Sequence, residues 1–103
     1  MGVTKAFIEQ YRKESHKRRS KGICDLCGKP APFNDRNGNP YLESHHIVWL
    51  SKGGKDEIDN VVALCPNCHR SMHVLNRDED IEKLNHRIRQ YQLIEEGYSS
   101  SDV

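Results

Sequence analysis

The sequence lacks long hydrophobic runs, internal repeats and lipid-attachment motifs. A membrane-spanning helix needs about 20 apolar residues in succession, so we expect no membrane partner. The first residues also lack the apolar segment and cleavage site of a secretory signal. This absence predicts a cytoplasmic protein and disfavours disulfides.

Apolar and aromatic side chains are scarce, at 35% and 7% of the 103 residues, and the mean hydropathy is −0.86. A chain of this length predicts a single domain, residues 1–103, with a thin apolar core. A second source of stability, such as a bound metal, is therefore expected.

The net charge is also small, at +1, but it is unevenly distributed. Residues 1–23 carry a balance of +5, and residues 24–103 carry −4. A basic run of this kind is usually a solvated helix face. Such a run is also a candidate nucleic-acid-binding element, because Lys and Arg side chains contact phosphates. The candidate contacts are Lys17, Arg18, Arg19 and Lys21.

Only four cysteines occur, in two Cys-x-x-Cys pairs. Cys24 and Cys27 form the first pair, and 37 residues separate it from Cys65 and Cys68. Two such pairs indicate either two disulfides or one tetrahedral four-thiolate zinc site. The absence of a secretory signal favours zinc. Four thiolates leave no open coordination position, so the predicted zinc is structural.

Four of the six histidines fall within a stretch of 31 residues. His45 and His46 are adjacent, whereas His69 and His73 are four residues apart, just after a proline that favours the first turn of a helix. Because residues four apart share a helix face, His69 and His73 can bind one divalent ion, with a third ligand from the adjacent pair. The remaining two histidines, His16 and His86, are expected at the surface.

Hydrophobic periodicity and turn residues predict a short β-hairpin between helices. The predicted helices span residues 4–20, 66–75 and 78–96, and the predicted strands lie within residues 41–50 and 61–64. The expected regions are a basic N-terminal helix over 1–22, a zinc-clasped core over 23–76, a C-terminal helix over 78–97 and a tail over 98–103. The residues expected to be buried by the last helix are Ile81, Leu84, Ile88 and Tyr91.

Five segments carry a family resemblance, in this order: Cys-x-x-Cys, ESHHI, a Gly-Gly pair, DNVVAL and CPNCHRSMH. The pattern resembles the HNH endonucleases of the ββα-metal, or His-Me finger, class over roughly residues 23–75. Its Glu-x-His-His and His-x3-His spacings are similar to colicin-type nuclease domains, and its cysteine pairs to zinc-bearing stand-alone enzymes of bacteria and phages. The resemblance implies an α+β fold, in which N- and C-terminal helices flank a ββα-metal core with a four-cysteine structural zinc.

The resemblance also implies a role for each matching residue. His46 would be the general base, and Asn60 would hold the loop that aims the His46 ring. Glu43 would orient the site, and Arg70 would contact a phosphate. The implied ligands of the catalytic ion are His45, His69 and His73.

The implied activity is hydrolysis of DNA phosphodiester bonds with one divalent ion and a histidine base. Imidazole ligands favour Mn²⁺, Co²⁺, Ni²⁺ or Zn²⁺ over Mg²⁺. Neighbouring residues of a regular strand point to opposite faces, so His45 and His46 can serve one phosphate only where the strand bends or ends. Three questions stay open. The first is whether the domain is an enzyme or a noncatalytic zinc-stabilised nucleic-acid-binding module. The others are whether the substrate is DNA or RNA, and whether the protein is a monomer or a homodimer.

Overall fold

The structure is a computed structural model and describes residues 15–95. Its helices and strands, in chain order, are α1 Ser15–Ser20, β1 Glu43–His46, β2 Val61–Leu64, α2 Pro66–Val74 and α3 Asp78–Glu95. Single turns of 3₁₀ helix lie at Leu50–Lys52 and Ile58–Asn60, in the loop that joins the strands. The predictions for residues 4–14 and 96–103 lie outside the described residues. Within residues 15–95, no helix combines the length and apolar character needed to span a lipid bilayer.

The two strands form an antiparallel hairpin with the register Glu43↔Leu64 and His46↔Val61. All four residues of β2 are buried, since its sequence, VVAL, has no polar side chain to face water. The predicted bounds of this strand are confirmed. The helix α2 begins at Pro66, so that one residue, Cys65, separates it from β2.

The first strand is shorter than the predicted range of residues 41–50 and ends at His46. Beyond it, the backbone of Val48 bonds to the side-chain amide of Asn60 instead of continuing the ladder with β2. Gly54 permits this close folding of the loop, because an added Cβ there would lie 1.8 Å from the carbonyl oxygen of Val48. Loop contacts therefore override the strand propensity of the residues after His46.

The core is thin, as the composition predicts, and is shared by the hairpin, α2 and α3. Met72 and Leu84 are fully buried, and Ile88 is nearly so. Ile81 and Tyr91 are half-buried, so the stripe predicted on α3 faces the core. The buried apolar cluster comprises Cys24, Leu42, Ile47, Val62, Ala63, Leu64, Met72, Leu84 and Ile88.

A buried carboxylate joins the first cysteine pair to the hairpin. The N–H of Asp25 donates to the carbonyl of Ala63, and the N–H of Ala63 donates to Asp25 Oδ2, each at 2.9 Å. The Tyr91 hydroxyl on α3 donates to Asp25 Oδ1. Burial raises the pKa of Asp25, and the hydrogen bonds from Tyr91 and Ala63 oppose that rise. One side chain thus connects the cysteine loop, β2 and α3.

Two side chains of α1 depart from the sequence-based expectations. His16 is only 4% exposed and its Nε2 lies 2.7 Å from Ser44 Oγ, so the prediction of a surface histidine is wrong. The sequence also places Arg19 among the phosphate contacts. Its guanidinium instead donates to the carbonyls of Ile58 and Val61, at 3.1 and 2.7 Å, and lies 4.3 Å from the centre of a tyrosine ring in α3. Polar contacts therefore attach α1 to the hairpin, and hydrophobic periodicity does not reveal them.

Replacement of Tyr91 tests the connection through Asp25. Tyr91→Phe keeps the ring and removes the hydroxyl, which leaves a buried carboxylate with one donor fewer. We expect a loss of about 1 kcal/mol in the free energy of unfolding, and a Tm lower by about 4–8 °C, measured by circular dichroism.

Tyr41→Phe is the matched control for this prediction. The Tyr41 hydroxyl also donates to a carboxylate, that of Glu43, but the Glu43 side chain is 31% exposed and can bond to water instead. The Tm of Tyr41→Phe should therefore change less. Equal changes in the two variants would show that burial of the Asp25 carboxylate does not govern the loss.

Candidate metal centre and catalytic cleft

Three histidines from β1 and α2 converge on one point. Ligand nitrogens of His45, His69 and His73 all lie within 4.8 Å of one another. The Nε2 atoms of His69 and His73 are 3.2 Å apart, as their four-residue spacing on one helix face allows. Two imidazoles bound tetrahedrally to one ion at about 2.1 Å stand about 3.4 Å apart. The geometry of the cluster therefore suits a shared metal ion.

His45 is the most deeply buried of the three, at 2% exposure, and its Nε2 has no hydrogen-bond partner within residues 15–95. Burial, followed by the neighbouring rings of His69, His73 and His46, lowers the pKa of His45 to about 4. Metals bind the neutral imidazole through a ring nitrogen that carries no proton. The environment of His45 therefore favours the form of the ring that binds a metal.

A chain of hydrogen bonds orients His69. Its Nδ1 lies 2.8 Å from Glu43 Oε1, and Glu43 Oε2 accepts the Tyr41 hydroxyl at 2.8 Å. The hydrogen bond with His69, followed by the one from Tyr41, lowers the pKa of Glu43. A carboxylate on Nδ1 leaves Nε2 of His69 available toward His73. Glu43 is therefore in a position to orient the His69 ring, and Tyr41 in turn holds the Glu43 carboxylate.

His46 lies at the end of β1, next to the histidine cluster. The two adjacent histidines face one cavity of about 200 Å³. Its lining comprises Ser44, His45, His46, Trp49, Leu50, His69 and His73. His45 and His46 are both paired with β2, but the strand ends at His46, and both residues line this one cavity. The strand therefore ends where it must for the two adjacent histidines to face one site.

Asn60 holds the loop that follows His46. Its Oδ1 accepts the N–H of Val48 at 2.9 Å, and its Nδ2 donates to the carbonyls of Val48 and Lys55 at 3.0 and 2.8 Å. The Asn60 carbonyl accepts the N–H of Ile47 at 2.9 Å. Three of these bonds hold the chain immediately after His46, at Ile47 and Val48, and the fourth holds Lys55 further along the same loop.

The four cysteines form a second cluster, with all sulfur atoms within 4.8 Å of one another and no disulfide. Burial acts to raise the pKa of Cys24, but the N–H groups of Cys27, Cys65 and Leu26 hold that pKa below its ordinary value. The N–H of Cys68 lies 3.5 Å from Cys65 Sγ. Converging sulfurs with nearby N–H donors match the geometry of a four-thiolate metal site.

The residues predicted to contact phosphates lie in different places. Arg70 is exposed on α2. Lys17, Arg18 and Lys21 line a separate cleft of about 600 Å³, between α1 and the chain that leads into β1. Arg19 does not line this cleft, because its guanidinium binds carbonyls of the hairpin.

Comparison with known proteins identifies the family of this chain. The HNH endonuclease family matches residues 24–74, which hold both cysteine pairs, the three clustered histidines and His46. The chain belongs to the HNH endonuclease family. The α+β fold class predicted for an HNH endonuclease is confirmed, with the hairpin, the helices and the clustered cysteines in place.

The HNH domain is similar to parts of two curated proteins. Over 66 residues it is 62% identical to the type IV methyl-directed restriction enzyme EcoKMcrA of Escherichia coli. This match covers 63% of this chain and 24% of that protein. Over 35 residues it is 40% identical to anaredoxin of Nostoc sp.. This match covers 34% of this chain and 46% of that protein.

A solved structure of a restriction enzyme also resembles the HNH domain. The type IV phosphorothioation-dependent restriction endonuclease ScoMcrA matches with a TM-score of 0.64 at 28% identity, over 79% of this chain and 16% of that chain. The chain therefore spans less than a quarter of the length of either restriction enzyme and less than half of anaredoxin.

Three side chains at the HNH site have no sequence signal of their own. Asp56 Oδ1 lies 2.9 Å from Nε2 of the predicted base, and Tyr41 supports Glu43. Trp49 stacks on His73 with ring centres 5.3 Å apart. All three lie outside helices and strands, where no periodic spacing marks the residues that will meet.

The lowered pKa of His45 predicts its protonation state. Without metal at the histidines, the ring stays neutral at about pH 5.5, where a solvated imidazole with a pKa near about 6.5 is mostly protonated. Because the folded pKa is the lower one, stability linked to His45 is present above about pH 6.5 and is lost as the pH falls towards 4. Ring ¹⁵N chemical shifts across this range measure the protonation. A midpoint of His45 protonation at about pH 6.5 would contradict the buried position of the ring.

Proposed function

We propose that this HNH domain is a metal-dependent DNA endonuclease that hydrolyses phosphodiester bonds with a histidine general base. The observation that carries the proposal is the convergence of His45, His69 and His73 beside His46 on one cavity. Three histidines that can share a metal, next to a fourth outside that cluster, supply both parts of a single-metal hydrolysis.

The three-histidine cluster fits a divalent ion. The buried Nε2 of His45 lacks a hydrogen-bond partner among the described residues, and the Nε2 atoms of His69 and His73 face each other at 3.2 Å. Two such nitrogens cannot both accept a hydrogen from each other, but both can donate lone pairs to one cation. A divalent ion held by His45, His69 and His73 would supply Lewis acidity and would stabilise negative charge on the phosphate and the departing oxygen. Imidazole ligands favour Mn²⁺, Co²⁺, Ni²⁺ or Zn²⁺ over Mg²⁺.

His46 takes the proton from the attacking water in this proposal. Imidazole is the side chain that changes protonation near neutral pH, which suits a general base. His46 is half-buried on the cavity, so its ring can meet both substrate and solvent. Asn60 supports this role by holding the chain after His46, and Glu43 supports the metal site by orienting His69.

The four-cysteine cluster fits a structural zinc. Four thiolates fill a tetrahedral shell, so this site contributes stability rather than catalysis. Cys65 and Cys68 lie at the start of α2, and His69 follows directly. A zinc held by Cys24, Cys27 and this second pair would therefore fix the first turn of the helix that carries two of the clustered histidines.

The cleft lined by Lys17, Arg18 and Lys21 is where we place phosphates that flank the scissile bond. Tyr41 also lines this cleft, and its hydroxyl donates to Glu43 at the metal site, so the cleft lies next to the catalytic cavity. Arg70 on α2 adds a further contact in this proposal.

One acidic residue, Asp35, also lines the cleft. Its Oδ1 accepts the N–H groups of Asn37 and Asn39 at 2.9 and 3.0 Å, so its charge is partly offset within its own turn. Three basic side chains against one carboxylate leave the cleft positive.

The restriction enzymes similar to this domain support DNA as the substrate class, because they are named for methyl-directed and phosphorothioation-dependent restriction. One HNH site cuts one strand, so a monomer would nick DNA and a homodimer would be needed for a concerted double-strand break. The choice between methylated, phosphorothioated and unmodified DNA depends on base and backbone contacts beyond the catalytic cavity.

Removal of His46 is expected to abolish cleavage. Zinc-loaded protein stripped of its second metal is titrated with Mn²⁺, Co²⁺, Ni²⁺ and Mg²⁺ on supercoiled plasmid, and the nicked and linear products are quantified. Wild type should cut better with the transition metals than with Mg²⁺. His46→Ala should lose about 10²- to 10⁴-fold in rate, because the general base is absent.

His86→Ala is the matched control, since His86 is an exposed histidine on α3 that does not line the cavity. It should cut at the wild-type rate. DNA binding by wild type without cleavage in any metal would favour a noncatalytic binding module. Cleavage of RNA alone would change the substrate class, and full activity of His46→Ala would remove the base role from His46.

The cleft predicts the salt dependence of DNA binding. Each phosphate neutralised by a Lys or Arg contributes about 0.9 to the slope of log affinity against log salt concentration. Lys17→Ala combined with Lys21→Ala should therefore make the slope shallower by up to about 2, measured by fluorescence anisotropy with metal-free histidines.

The control for this variant removes two charges elsewhere. Lys83 and Arg89 are exposed on α3 and do not line the cleft, so their joint replacement by alanine should leave the slope near that of wild type. Equal slopes for the two double variants would exclude the cleft as the phosphate-binding surface.

A further inference from the structure

We propose that Asp56 is a positioning residue for the general base, an inference that rests on the proposed function because it acts through His46. The Oδ1 atom of Asp56 lies 2.9 Å from His46 Nε2. The loop that carries Asp56 joins the two strands, and Asp56 is ten residues beyond His46. The pairing therefore arises from the way this loop folds back on the end of β1.

The chemistry of the pair selects one tautomer of the His46 ring. A neutral imidazole carries a hydrogen on one nitrogen and a lone pair on the other. An ionised carboxylate can only accept a hydrogen bond, so Asp56 places the hydrogen on Nε2. Nδ1 then keeps the lone pair and is the atom that takes the proton from water. The carboxylate also stabilises the positive charge of the ring after that transfer.

The loop is held so that Asp56 stays beside His46. Asn60 Nδ2 donates to the carbonyl of Lys55, the residue before Asp56, at 2.8 Å. The same side chain exchanges two hydrogen bonds with the backbone of Val48, two residues after His46. One amide therefore fixes the chain next to both members of the pair. Asn60 thus orients the base from two directions.

A role for Asp56 as a metal ligand does not fit the geometry. Among the described residues, the groups of three or more potential ligands within 4.8 Å are the four cysteines and the three histidines His45, His69 and His73. Neither group contains Asp56 or His46. The contact of the carboxylate with the His46 ring therefore belongs to the base and not to the metal site.

The size of the effect follows from exposure. The side chain of Asp56 is 69% exposed and that of His46 is 24% exposed, so water competes for the hydrogen bond. Replacement of Asp56 should therefore leave the fold intact and lower kcat by about 10-fold. This decrease is far smaller than the decrease in kcat caused by removing a buried carboxylate behind a catalytic histidine. Asp56→Glu retains an acceptor and should recover part of the rate.

The experiment compares Asp56→Asn with Asp59→Asn in the plasmid assay, using zinc-loaded protein and one activating metal. Asp59 is an exposed acid in the same loop, so each variant removes one negative charge near the substrate. We expect kcat to fall about 10-fold in Asp56→Asn alone, while KM and the affinity for the second metal stay close to those of Asp59→Asn.

A second comparison asks whether Asp56 acts only through the base. In a His46→Ala background, the further change Asp56→Asn should not lower the residual rate, because the ring it positions is absent. A further loss in that background, or weaker metal binding, would overturn the inference. An Asp56→Asn enzyme as active as wild type would also overturn the inference. The proposed function would still stand in that case if His46→Ala were inactive in the same assay.

The tautomer can be read without activity. Ring ¹⁵N shifts of His46 at about pH 8 should show the hydrogen on Nε2 in wild type and a mixture of tautomers in Asp56→Asn. The same mixture in both proteins would overturn the inference even if no metal supported cleavage.

Discussion

The pairing of β2 with β1 is the interaction on which the rest of the structure depends. All four residues of β2 are buried, Asn60 precedes the strand and Cys65 follows it. Burial of this short strand therefore fixes two things together: the loop that holds His46, and the start of the helix that carries His69 and His73. A cavity in β2 would disturb the catalytic cleft at one end and the cysteine cluster at the other.

The two clusters depend on each other through α2. A small apolar core leaves few contacts to hold a helix of nine residues, and the site needs its two histidines placed within fractions of an ångström. The cysteine pair at the start of α2 supplies the missing restraint, and Cys65 also lies at the N-terminal cap of that helix. In the proposed function, a zinc bound at this point would support catalysis without touching the substrate. The four clustered cysteines therefore compensate for the small apolar core of the chain.

The basic N-terminal segment shows the limit of reading charge along the chain. Neighbouring residues of α1 serve different purposes: Arg19 binds carbonyls beside the start of β2, whereas Lys17 lines the cleft. His16 is similarly buried against Ser44. Which side chain of a charged run is used internally depends on the unpaired backbone groups that another part of the chain brings near it. Net charge and periodicity contain no information about those groups.

The sequence by itself determined the features that follow from local geometry: the two cysteine pairs, the helical spacing of His69 and His73, and the apolar strand β2. Each is set by a spacing of a few residues, which the period of a helix or the bite of a metal site constrains. The tertiary structure alone decided that β1 ends at His46 and that Asp56 meets the His46 ring. These contacts join residues across a long loop, and their geometry follows from how the whole loop closes on the hairpin, which no short spacing encodes.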